Sequence, residues 1–325
     1  SGAVVGLSLM FHPRMIVIVI AAAFLGAVYK TFRPVLAGVL SGLLVSVTGV
    51  ALVGAWPSAR IEAGLSAPET QSVVATVAGQ FLSLVASTAG LAGLGIFVGI
   101  TAILHSVRNP LVSPAAVFLG ISSIGMLLLG GWVTAGSDRS DTLLYGRYID
   151  PWVVPLTIVG IVFLVETAPR LWNLMVFVFL TVAAALTTIS IAGEFSDPGR
   201  RIMTSSLGIL WSASGGSVRP TILYALTVTL VGLFCMGIRS KHRFVIPAVL
   251  VFAIASTSTI SNHRYLADVG RIAEGQAGTM AALPTDAVCL AHDSETTKHY
   301  ALWLYRMQAP TIEHRRVNLL AGEQP

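Results

Sequence analysis

The stretch VAGQFLSLVASTAGLAGLGIFVGITAIL, residues Val77–Leu104, contains no charged side chain. A helix needs about 20 predominantly apolar residues to cross the hydrocarbon core of a bilayer, and this run exceeds that length. Outward from it, Val35–Trp56, Leu111–Val133, Leu174–Gly193 and Thr221–Ile238 meet the same test or nearly do. Met15–Tyr29, Trp152–Thr167 and Phe244–Ser261 are shorter and need flanking residues to complete a span. Charged residues make up 11% of the chain and hydrophobic ones 54%, whereas soluble domains are about 25% charged. The pattern predicts an all-α polytopic membrane protein of about eight spans. An apolar run ending at Phe11 reads as the close of a truncated leading helix. No basic segment precedes that run, which argues against a signal peptide and for the C-terminal part of a longer protein.

The connections alternate in character. One set is short and basic: Lys30/Arg33, His105/Arg108, Arg170 and Arg239/Lys241/Arg243. The other is longer and mixed: 57–76, 134–151, 194–220 and everything after Ser261. Cytoplasmic loops carry the excess of Lys and Arg, so the longer loops and the tail are expected to face outward. The chain then divides into a transmembrane part, 1–261, and an extracytoplasmic tail, 262–325. In that tail Arg264–Leu283 reads as a helix, Ala287–Ala291 as a buried strand, His292–Glu295 as a turn, and Thr296–Met307 as a second helix. This is an α/β-like segment, with a soluble domain left incomplete at Pro325.

Several function classes drop out early. The net charge of +5 is spread between spans rather than gathered on one stripe, so no nucleic-acid partner is implied. Cys235 and Cys289 are too few for a disulfide framework or a cysteine metal site. His292, His299 and His314 show no recognised ligand spacing and read as solvated surface histidines. No phosphate-binding loop, dinucleotide fingerprint or HExxH is present. Ala86/Gly90, Ala89/Gly93 and Gly95/Gly99 recur at the spacing that lets helix backbones approach closely in lipid.

The charge-dense connection Ser140–Pro151 is the natural place for chemistry. It holds Asp141, Arg147 and Asp150, with Asp138 and Arg139 just before. A guanidinium offers two parallel hydrogen bonds to phosphate oxygens, which suits Arg147 to a lipid phosphate. Tyr145 and Tyr148 are amphipathic residues fit for head-group depth. A solvated loop with balanced charges is the competing reading. Arg200 and Arg201 are a second candidate phosphate contact, against plain anchoring to anionic head groups. His12 and Arg14, around Pro13, form a third basic pair, against a simple helix-ending turn.

Gly146-Arg147-Tyr148, followed by Pro155 at the head of an apolar span, resembles the Arg-Tyr…Pro lead-in to a late transmembrane helix of GT-C-type glycosyltransferases. The likeness is to actinobacterial membrane proteins of that superfamily. Gln80–Ser87 with the glycines after it resembles their middle span, and Gly6–Arg14 the helix end before a short return helix. The resemblance implies transfer of a sugar from a polyprenyl-phosphate carrier to an acceptor on the outer face of a bacterial plasma membrane. The lipid bilayer and a lipid-linked sugar are then the partners. No further cofactor is predicted, and the residues leave a divalent metal open. The family places its catalytic acid in the first outer loop, expected upstream of Ser1, which leaves Asp138 and Asp141 as weak candidates for the general base. Two alternatives stand beside this: a transporter or flippase, and an outer-face polysaccharide ligase or polymerase. Transporters mark their path with ionisable residues inside spans, and these spans hold almost none.

Overall fold

Asp150-Pro151 and Ser113-Pro114 begin helices because proline at the first helical position gives up an amide that has no partner there anyway. In a computed structural model, the described residues are 15–53, 70–109, 111–135, 140–144, 149–166, 171–191, 205–215, 217–237, 244–281, 287–293, 305–306, 309 and 311–318. The helices are α1 Ile16–Val28, α2 Phe32–Val53, α3 Thr70–Ser87, α4 Leu91–Ser106 and α5 Pro114–Thr134. After a 3-10 turn at Ser140–Leu144 come α6 Asp150–Glu166, α7 Leu171–Ile191, α8 Ser205–Ala213, α9 Val218–Gly237 and α10 Val245–Ala281. Strands β1 Cys289–Asp293 and β2 Glu313–Val317 follow. The chain divides into two units, Ser1–Thr259 and Ile260–Pro325.

The first unit is helical, with large apolar side chains on its surface and small polar ones among those it buries. Phe179, Phe234 and Phe252 are each more than 70% exposed, while Thr76, Gln80, Ser83, Thr181, Thr188 and Thr229 are buried. Among the described residues, three helices are long and apolar enough to cross a membrane, at Pro114–Thr134, Trp172–Ile191 and Val218–Gly237, or four if a bent pair counts as one span. Shorter apolar helices lie at Ile16–Val28, Arg33–Gly49 and Val245–Ser261. Such helices suit a membrane because each satisfies its own backbone hydrogen bonds.

The run Val77–Leu104 is not one straight span. It breaks at Thr88–Gly90, and the axes on either side differ by 118°. The Gly90 amide donates to the Val85 carbonyl at 2.8 Å and the Ala89 amide to the Ala86 carbonyl at 3.2 Å. That pair of bonds is a Schellman ending, which requires a left-handed residue after the cap. Ala89 takes that conformation at φ +47°, and Gly90 follows at φ +96°. Thr88 Oγ1 then accepts from the Ala92 amide at 3.0 Å and helps to start α4. The expected pairs Ala86/Gly90 and Ala89/Gly93 therefore do not share a continuous helix face. Gly95 and Gly99 do, on α4. A Cβ at Gly95 would overlap the Leu156 carbonyl, one at Gly160 the Leu91 carbonyl, and one at Gly99 would reach 2.7 Å from Gly120 Cα. Helices α4, α5 and α6 thus meet backbone to backbone.

Gly90→Ala is expected to lower the thermal unfolding midpoint in detergent. A left-handed alanine costs about 1–2 kcal/mol, and its methyl would sit 3.0 Å from Leu233 Cδ2. An unchanged midpoint would mean that Gly90 does not hold the left-handed conformation at this turn.

Three apolar clusters meet on the bent pair. Leu82 and Ala86 pack with Leu143, Leu144, Ala185 and Ile222. Leu84, Ala92 and Ile96 pack with Val17, Met126, Ile149, Trp152 and Leu156. Leu91 and Leu94 pack with Leu164, Phe177, Leu233 and Met236. At one end of α5, Tyr29 Oη donates to the Val112 carbonyl at 2.6 Å. The basic connections Lys30/Arg33 and His105/Arg108 therefore lie at the same end of the helices. The connection 134–151 leaves the opposite end of α5, a helix about 30 Å long at 1.5 Å per residue.

Two sequence readings of loops and tail are corrected. The long connection 194–220 contains helix α8, whose Leu207 is fully buried and whose Trp211 packs on the same cluster. In the second unit β1 and β2 pair in parallel, and β1 runs through His292 and Asp293, where a turn was expected. Only Tyr305 and Arg306 of the expected helix Thr296–Met307 belong to the described residues.

Candidate functional site

The 3-10 turn Ser140–Leu144 does not stand out in solvent. Thr142, Leu143 and Leu144 are buried, because Leu143 and Leu144 supply two of the apolar side chains that fill the gap beside α3. The turn comes so close that a Cβ at Gly79 would overlap the Leu143 carbonyl. Beyond it Ile149 is fully buried, and Trp152 Nε1 donates to Ser122 Oγ at 2.7 Å. The connection, polar and charge-dense in sequence, is therefore packed down on both sides of the segment that carries Arg147.

Tyr148 and Arg147 lie outside the described residues, as do Asp138, Arg200, Arg201, His12 and Arg14. Asp141 falls on the 3-10 turn, and its side chain is outside the description. The flanking residues Leu144 and Ile149, which belong to two different clusters, bound the segment that carries Arg147 and Tyr148. Glu166 is exposed at the last position of α6.

Next to Gly79 stands a buried group that sequence reasoning passed over. Gln80 is 0% exposed, and its Nε2 donates to Thr134 Oγ1 at 3.0 Å. Thr134 in turn donates to the Gly130 carbonyl at 2.8 Å. Gln80 Oε1 is buried with no hydrogen-bond partner among the described residues. Thr76, Gln80, Ser83 and Ser87 recur at helical spacing and are all buried, so α3 turns a polar stripe inward. The spacing was legible; the inward direction was not, because a polar stripe on a helix ordinarily faces water.

A buried carboxamide oxygen is an acceptor for a hydroxyl or amide donor, and leaving it unpaired costs about 1–3 kcal/mol. Gln80→Leu is accordingly expected to leave stability unchanged or raise it by about 1 kcal/mol, read by thermal unfolding in detergent. A variant that is equally stable but inactive would mark Gln80 as functional. One that unfolds much earlier would make it purely structural.

Among the described residues, no group of three or more His, Cys, Asp or Glu side chains is placed to hold a metal ion. In the tail, His292 is 5% exposed and lies 2.8 Å from His314, so these two are not the solvated histidines expected. His299 lies outside the described residues.

The fold and this site define a mostly helical chain with membrane-capable spans and a connection anchored at one end of them. No family model matches it, and neither a curated protein nor a solved structure does.

Proposed function

We propose that this chain acts in the transfer of a sugar from a polyprenyl-phosphate carrier to an acceptor on the outer face of a bacterial plasma membrane. In this reading it has about eight spans, and 57–76, 134–151, 194–220 and the tail face outward. Arg147 holds the lipid phosphate, with Tyr148 at head-group depth. Arg200, Arg201, His12 and Arg14 are further phosphate contacts, and Asp138 and Asp141 are secondary candidates for the general base.

The observation that supports this most is the anchoring of residues on both sides of Gly146-Arg147-Tyr148. Leu143 and Leu144 pack beside Gly79, and Ile149 and Trp152 pack against α5. Packed ends on both sides leave a short segment less to lose in conformational freedom when a phosphate is gripped. The resemblance of Arg147, Tyr148 and Pro155 to the GT-C pattern supports the same assignment.

One observation favours the transporter reading. Helices α3 and α4 are broken by 118° at a buried turn, and discontinuous helices are a recurring way to expose backbone groups to a substrate within a membrane. Vesicles containing the protein separate the two. Label passing from a polyprenyl-phosphate sugar to an acceptor supports the transferase. Solute accumulation inside sealed vesicles, without transfer, supports the transporter.

A further inference from the structure

The strand pair of the second unit is held by more than its backbone. Leu290 lies opposite His314 and His292 opposite Arg316, and side chains alternate along a strand, so all four share one face. His292 Nε2 lies 2.8 Å from His314 Nδ1. The ring centroids are 5.1 Å apart with planes inclined by 16°. That separation is little more than the nitrogen–nitrogen distance plus two ring radii, so the rings meet edge to edge. No metal ion fits between nitrogens this close and pointing at each other; a proton does.

The protons can be assigned. His314 Nε2 lies 3.1 Å from the Ala309 carbonyl, which only accepts, so Nε2 carries a hydrogen. In neutral His314, Nδ1 is then the acceptor and His292 Nε2–H the donor. One added proton is tolerated: His314 becomes the cation, Nδ1–H donates to His292 Nε2, and the hydrogen of His292 moves to its Nδ1. A second added proton puts two N–H groups head to head at 2.8 Å.

We infer that His292 and His314 form a proton-operated clasp on the parallel strand pair, closed by at most one added proton and opened by the second. The surroundings oppose that second charge. Arg316 shares the face and Arg306 Nη2 reaches the His314 carbonyl at 3.4 Å, while Tyr305 stacks on His292 at 5.2 Å between centroids. Asp293 belongs to the other face by alternation, as do Cys289, Glu313 and Arg315, of which the last two are ion-paired at 2.8 Å. Burial foremost, then the charges of His314 and Arg306, holds His292 below its ordinary 6.5. The folded pair therefore binds its second proton more weakly than the open chain does. Stability from the clasp is present above about pH 6.5 and is lost as pH falls from there toward the lowered folded value. Two-stranded sheets are marginal on their own, so a small loss suffices.

Hydrogen exchange of the whole protein in detergent, corrected for the intrinsic pH dependence, tests this. Amides of 289–293 and 313–317 should be protected at pH 8. Below about pH 6.5 their opening constant should rise by up to about tenfold per pH unit, the slope of one proton. His314→Gln, whose amide oxygen can accept from a charged His292, should make the rise smaller and leave only the part due to burial and Arg306. If that variant does not fold, the wild-type profile decides alone. The clasp is overturned by an opening constant that stays flat from pH 8 to pH 5, or by the same rise in a folded His314→Gln. Glu313 does not confuse the window, because Arg315 holds its carboxyl below its ordinary 4.5.

Discussion

Gly160→Val is expected to lower stability by about 3 kcal/mol or more, the upper end of what overpacking a core costs. A Cβ at Gly160 would overlap the Leu91 carbonyl, and Gly95 meets the Leu156 carbonyl in the same way across the same helix pair. Helix α6 therefore cannot slide to make room, because relief at one crossing tightens the other. The alternative is to part α4 from α6, which opens the packing of Leu91, Leu94 and Leu164. Leu91 is also the first residue after the Thr88–Gly90 turn, so the displacement reaches the bend itself. Chemical or thermal unfolding in detergent reads the effect. Val154→Leu is the matched control, since Val154 is 64% exposed on the same helix and should change stability by less than about 0.5 kcal/mol. Equal stability of Gly160→Val and wild type would remove the backbone contact between α4 and α6.

On the transferase proposed above, Arg147→Ala is expected to reduce sugar transfer by about 10²–10³-fold, the usual loss when one donor to a developing negative charge is removed. Protein yield and unfolding should not change, because Leu143 and Leu144 pack against Leu82 and Ala86, and Ile149 and Trp152 against Leu84 and Met126. Arg147→Lys separates two ways of acting. Lysine keeps the charge but loses the planar fork, so an intermediate rate points to two-point phosphate contact. Full activity in Arg147→Lys would assign Arg147 to charge alone. Full activity in Arg147→Ala would move the phosphate contact elsewhere, with Arg200 and Arg201 the next to test.

Much of the fold was legible in the sequence because apolar length is a local property. The runs Leu111–Val133, Leu174–Gly193 and Thr221–Ile238 lie on helices α5, α7 and α9, shifted by a few residues at their ends. The helix start at Asp150-Pro151 was equally plain, since proline fixes its own dihedral. Of the candidate site, the sequence marked Ser140–Pro151 as the unusual connection, from charge alone.

What only the tertiary structure decided rests on contacts between residues far apart in the chain. Nothing in Thr88-Ala89-Gly90 interrupts the apolar run, yet two left-handed residues there bend α3 from α4, and Gly232 lies close enough that a Cβ there would overlap the Ala89 carbonyl. Leu143 and Leu144 look like two apolar residues in a polar loop until Gly79 lets the turn reach the backbone of α3. His292 and His314 are 22 positions apart, and only the parallel register brings their nitrogens together. Hydrophobic length declares that a segment will leave water; which face it buries, and where it turns, is settled by the partner it packs against.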